Sequence, residues 1–116
     1  MPRKIDTAAG RAAIHAVRAA ETPARTDLAT AVRYLLQLLE ERAPGKTVEV
    51  RVPPFGAVQV VEGLAHTRGT PPNVVETDPR TWVALATGEI PWSEASDRIS
   101  ASGTRADISD LIPVLW

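Results

Sequence analysis

The chain has 116 residues, 44 % hydrophobic and 23 % charged, with a formal net charge of −1. That describes one globular domain with an aliphatic, aromatic-poor core, and it excludes a general electrostatic pull toward nucleic acid or anionic membranes. No cysteine is present, which excludes disulfides, thiol catalysis and thiolate metal sites and fits a reducing cytoplasm.

The first residues are basic, but no unbroken apolar run follows them, so neither a signal peptide nor a membrane span is expected. From about Asp6 to Glu21 an alanine-rich segment carries Ile14 and Val17 on a weak apolar stripe, which reads as a helix. "ETPART" breaks it at Pro23. Thr26 is the expected N-cap of the next helix, with Asp27 adding negative charge to its first turn. Leu28, Val32, Leu35 and Leu39 then give the clearest helical stripe in the chain, which "RAPGK" ends.

After Gly45 the period changes to two. In "TVEVRVP", Val48, Val50 and Val52 alternate with Glu49 and Arg51, a strand with one buried face. "PPFG" is a turn, "AVQVVEG" a second, antiparallel strand, and "NVVET" a third. Asp78 followed by Pro79 is a strong helix start, and Gly88 is the matching stop. "PWSEASDR" reads as a short helix opening at Pro91, and "RISASG" as a strand with Ile99, Ala101 and Gly103 on one face. "DISDLIPVLW" reads as a short terminal helix capped by Asp107 and stopped near Pro113. The order implies an α+β domain with helices covering an open antiparallel or mixed sheet.

Few motifs carry chemistry. Gly45-Lys46-Thr47 matches the end of a phosphate-binding loop, but the required earlier glycine would fall at Glu40, and a strand rather than a helix follows. His15 and His66 lie on different elements and no ligand spacing accompanies them, so neither a metal nor another cofactor is expected. In "HTRGTPPN", Arg68 with His66 and Thr70 is a candidate anion site; the competing reading is a connection shaped by Gly69, Pro71 and Pro72. Trp82, Trp92 and Trp116 either line a pocket or are ordinary packing. Asp107 and Asp110 read more simply as helix-start charges than as an acid–base pair.

The segments "VVETDP", "TWVALATGEI", "PWSEA", "RISASG" and "ADISDLIPVL", with the upstream helix and the strands "TVEVRV" and "AVQVVEG" in matching order, resemble the sterol carrier protein family. The likeness runs from about Thr26 to Leu115, and "RVPPFGAVQVVEG" with "HTRGTPPNVVETDP" is similar to small stand-alone actinobacterial members. It implies a twisted sheet of about five strands with helices on one face and an apolar tunnel between the layers. Residues 1–25 would be an N-terminal helical extension and 26–116 the sterol-carrier-like domain. A fatty acid, sterol-like molecule or acyl-CoA would occupy the tunnel, without catalysis. Its candidate lining is Val58, Val60, Trp82, Leu85, Trp92, Ile99, Leu111, Ile112, Leu115 and Trp116, the last four forming a lid. The alternative is an accessory or protein-interaction module whose tunnel is filled, and, behind it, an enzyme using the His66–Arg68 loop. An empty cavity of ~300 Å³ would cost about 7 kcal/mol, against a total stability of about 5–15 kcal/mol. A domain this small therefore either retains a ligand or has little void.

Overall fold

The computed structural model describes residues 4–63 and 73–116. Helix α1 (Thr7–Ala19) starts at Asp6, whose Oδ1 accepts from the Ala9 N–H at 2.8 Å. It buries Gly10, Ala13, Ile14 and Val17, the spacing of one helical face. Helix α2 (Arg25–Arg42) starts one residue before the expected cap. Its N-cap is Ala24, with no side-chain cap bond, and Thr26 lies inside the first turn; the guanidinium of Arg25, the first helical residue, is 5.0 Å from the Phe55 ring centroid.

Strand β1 (Pro44–Val52) leaves α2 and turns through Pro53, Pro54 and Phe55 into antiparallel β2 (Gly56–Val60). Arg33 of α2 fixes that turn, its Nε donating to the Phe55 carbonyl at 2.9 Å. Strand β3 (Asn73–Thr77) pairs in parallel with β1, and β4 (Ile99–Ser102) pairs antiparallel with β3, giving the order β2-β1-β3-β4. Asn73 ties these pieces together: its Nδ2 donates to the Thr47 carbonyl at 3.0 Å and its Oδ1 accepts from the Arg105 N–H at 2.9 Å.

The alternation expected in β1 decides the architecture. Val48, Val50 and Val52, joined by Val60 and Val75, form the face that α2 covers. Glu49, Arg51 and Glu76 lie on the other face, where the Arg51 Nε is 3.6 Å from Glu49 and 3.8 Å from Glu76. The fold class is thus α+β with a mixed sheet, but among the described residues the sheet has four strands, not about five. The four found are the four with a strand pattern of their own in the sequence; the fifth came only from the family likeness.

Helix α3 (Pro79–Thr87) follows β3 and packs on α2, where the buried Trp82 donates its Nε1–H to the Val32 carbonyl at 3.3 Å. Its ends are as expected: the Asp78 carboxylate accepts from the Thr81 N–H at 3.0 Å, and Gly88 closes the helix at φ 84°. Two later elements are weaker than expected. "PWSEASDR" forms a 3-10 helix (Trp92–Arg98), and the terminal helix shrinks to one 3-10 turn (Ser109–Leu111). Pro113 keeps Ile112 extended, so only one turn fits after the Asp107 carboxylate has taken the Ser109 N–H.

The tail does not form the expected lid over the helix–sheet layer. Val114 donates its N–H to the Ala86 carbonyl at 2.9 Å, Leu115 is 92 % exposed, and Trp116 reaches α1, edge-on to His15 at 5.4 Å and 5.6 Å from the Arg18 guanidinium. Apolar composition required these side chains to find cover but did not say which surface would give it.

Two expectations concern the frame. A Cβ built at Gly10 would collide with the Tyr34 ring, which packs directly on the helix at this residue. Ordinarily Gly→Ala in a helix gains up to ~1 kcal/mol. Here Gly10→Ala should instead lose about 2 kcal/mol in urea unfolding, because overpacking dominates; a stabilised variant would contradict the α1–α2 contact. The second concerns Asp78. Burial pushes its carboxyl up, but the hydroxyl and N–H of Thr81 outweigh this and hold it below the ordinary 3.8. A depressed folded pKa contributes stability above the unfolded value and loses it as pH falls through the folded one. Asp78→Ala should therefore cost about 1 kcal/mol at neutral pH, with the deficit shrinking below about pH 4. A deficit independent of pH would exclude the charged cap.

Candidate functional site

The space between α2 and the sheet is filled. Val32, Leu35, Leu39, Val48, Val50, Val52 and Val60 each have 0 % of their surface exposed, so no water-sized void touches them. Two tunnel candidates, Val60 and Trp82, are part of this dry core. A ligand contacting Val60 would first have to part α2 from the sheet, and one contacting Trp82 would have to part α3 from α2.

The remaining candidates fall on different surfaces. Val58 borders a groove of about 480 Å³ between α2 and β2, with Leu36 and Phe55 at its floor and Lys4, Arg33 and Glu40 on its rim. Ile99 borders a shallower recess of about 470 Å³ with Pro53, Glu76 and Asp78. Leu111 is half-buried against the core, Leu115 is in solvent, and Trp116 lies on α1. His66, Arg68 and Thr70 lie outside the described residues.

Leu85, Trp92 and Ile112 come together. They line an open cleft of about 600 Å³ with Ile90, Pro91, Asp107 and Pro113. Its construction starts at Gly88. The left-handed residue reverses the chain, with the Glu89 N–H bonding back to the Ala84 carbonyl at 2.8 Å, and carries Ile90 and Pro91 into the 3-10 helix that presents Trp92. The opposite wall is the segment from Asp107 to Pro113. The Val114–Ala86 hydrogen bond pins that wall to the end of α3, and Arg42 Nη1 donates to the Pro113 carbonyl at 3.1 Å. Pro113 lies so close that a Cβ at position 88 would stand 3.2 Å from it.

Asp107 is the charged group on this lining. Hydrogen bonds from the Ser109 hydroxyl and N–H hold its carboxyl below the usual range, so it is ionised at neutral pH. Because it stands in solvent, this bond contributes to local geometry and little to overall stability. The cleft therefore combines apolar walls, one indole and one carboxylate, a set suited to holding an amphiphile. Among the described residues no group of three or more histidine, aspartate or glutamate side chains is placed to hold a metal ion, and no helix is long and apolar enough to cross a membrane.

The cleft was half legible in the sequence. Leu85, Trp92 and Ile112 were among the candidates for an apolar lining, but the approach of Asp107–Pro113 to Gly88 depends on a contact twenty-odd residues away in sequence, for which there is no local signal. Comparison with known proteins adds the family. No curated protein matches the chain at a significant level. A family model described as a bacterial SCP ortholog matches residues 24–114, from the residue that caps α2 to the residue that anchors the tail on α3. The chain therefore belongs to the bacterial sterol carrier protein (SCP) family.

Proposed function

We propose that the protein is a non-catalytic binder of a lipid-like or other apolar small molecule, and that the ligand lies in the cleft beside α3 rather than in an interlayer tunnel. The supporting observation is the convergence of Leu85, Trp92 and Ile112 on one open cleft while the helix–sheet layer is dry. Family membership supports apolar ligand binding in general terms. The site follows from an energy comparison: reopening ~300 Å³ between α2 and the sheet would cost about 7 kcal/mol, whereas the cleft is open already. Each methylene that an acyl chain buried there would contribute about 0.8 kcal/mol before ordering costs.

The filled layer favours a second reading, an accessory or interaction module in which the fold serves as a scaffold. Helix α1 is relevant to both. It precedes the residues matched by the family, yet it buries Ile14, and Gln37 of α2 clamps the chain ahead of it through two hydrogen bonds to Ile5. We take residues 1–25 as an extension that completes the core of the family domain.

Native mass spectrometry of freshly purified protein, followed by organic extraction, separates the readings: a binder carries an apolar molecule and a scaffold does not. Residue-level support would come from Ile112→Asn, which is half-buried at the cleft wall. Losing roughly 50 Å² of apolar contact at ~25 cal/mol per Å² should weaken binding of a neutral amphiphile such as decanol by about 8-fold. Unchanged affinity in a folded variant would move the site elsewhere.

A further inference from the structure

We propose that this cleft selects amphiphiles with a cationic head, alkylammonium compounds, over the carboxylates and phosphate esters that an apolar groove alone would accept equally. The inference rests on the reading that the cleft takes an apolar chain, and it concerns what stands at the head of that chain.

Three features of the cleft agree in sign. Asp107 is the charged side chain on the lining, and no basic side chain accompanies it there. Its carboxylate is kept ionised by Ser109, and a carboxylate has lone pairs beyond those Ser109 uses. The C-terminal end of α3 lies at the same place, through Leu85 and Gly88, with no basic residue in its last turn; hydrogen bonds from Gly88, Glu89 and Val114 to its last carbonyls reduce its negative pole without reversing the sign. Trp92 is half-buried at the wall and offers an indole, the best ring for an ammonium ion. Of the arginines that approach these segments, Arg18 is paired with Glu89 at 3.5 Å, whereas Arg42 bonds the neutral Pro113 carbonyl and keeps its charge, though it is not on the lining. An anionic head would meet Asp107 and the helix end together, with no cation on the lining to offset them. The groove at Val58 differs, because its lining has both signs, Lys4 and Arg33 with Glu40 and Glu41, and so does not disfavour an anion as a lone carboxylate does.

The test uses three probes with the same chain, decyltrimethylammonium, decanol and decanoate, below their aggregation limits. Binding is followed by NMR through the indole N–H signals of Trp82, Trp92 and Trp116. The ammonium compound should bind about 10-fold more tightly than decanoate, from its indole and carboxylate contacts. The Trp92 signal should move while that of buried Trp82 stays. Asp107→Asn, which can keep the turn to Ser109, should narrow the gap between ammonium and carboxylate to what the indole and the helix end supply. Added salt should narrow the gap in the parent, a readout that does not depend on the variant folding. Decanoate binding as tightly as the ammonium compound with Trp92 moving, or a gap that Asp107→Asn leaves undiminished, would overturn the charge preference while leaving apolar binding intact. Three probes that all leave Trp92 unmoved would overturn the binding reading along with the charge preference. A decanoate response confined to the groove lined by Val58 would show that anions choose the other surface, in support of the preference.

Discussion

The contact between α2 and β1 is the constraint from which the rest of the molecule follows. Val32, Leu35, Leu36 and Leu39 on one side meet Val48, Val50 and Val52 on the other with essentially no exposed surface. At about 1.5–3 kcal/mol for each fully buried aliphatic side chain, the four α2 residues alone account for roughly 6–12 kcal/mol before entropy is counted. That is comparable to the whole stability of a typical domain of this kind, about 5–15 kcal/mol. A ligand that had to separate these layers would work against the interaction that keeps the chain folded. The proposed binding site therefore lies at the edge of the layer, where α3 ends and the chain returns.

That edge is held by directional interactions. Asp78 fixes the start of α3, Gly88 fixes its end, and the Val114–Ala86 hydrogen bond brings the second wall of the cleft to the first. The 3-10 helices on either side make poorer backbone hydrogen bonds than an α-helix of the same length. A frame that concentrates its apolar burial in α2 and β1 and builds its cleft from short, hydrogen-bonded segments can adjust the cleft without disturbing the core. A shared fold leaves the place and charge of a ligand site to local features, and in the proposed cleft those features are Asp107 and Trp92.

Elements specified by near neighbours in sequence could be read directly. The alternation of Val48, Val50 and Val52, the Asp78-Pro79 start and the Gly88 stop each carry their cause within a few residues. Features that depend on distant partners could not. Thr26 was the better capping residue, but the helix starts at Arg25, whose guanidinium meets Phe55, a contact thirty residues away in sequence. Leu115 and Trp116 are apolar enough to demand cover, yet only the position of His15 and Arg18 on α1 decides that Trp116 finds it and Leu115 does not. The ten tunnel candidates scattered for the same reason: apolar character identifies residues that avoid water, and Val60 and Trp82 satisfied it with the core and not with a cavity.

The most direct test of the account is where a bound chain sits. Intermolecular nuclear Overhauser effects between the methylene protons of bound decanol and the protein methyl groups would locate it. The account requires contacts to Ile90 and Ile112, and to Leu85 at the floor, with none to Leu35, Leu39 or Val50. Contacts to Leu35, Leu39 and Val50 would mean that α2 lifts from the sheet to admit the ligand, and would contradict the claim that the helix–sheet layer is closed and the cleft beside α3 is the site.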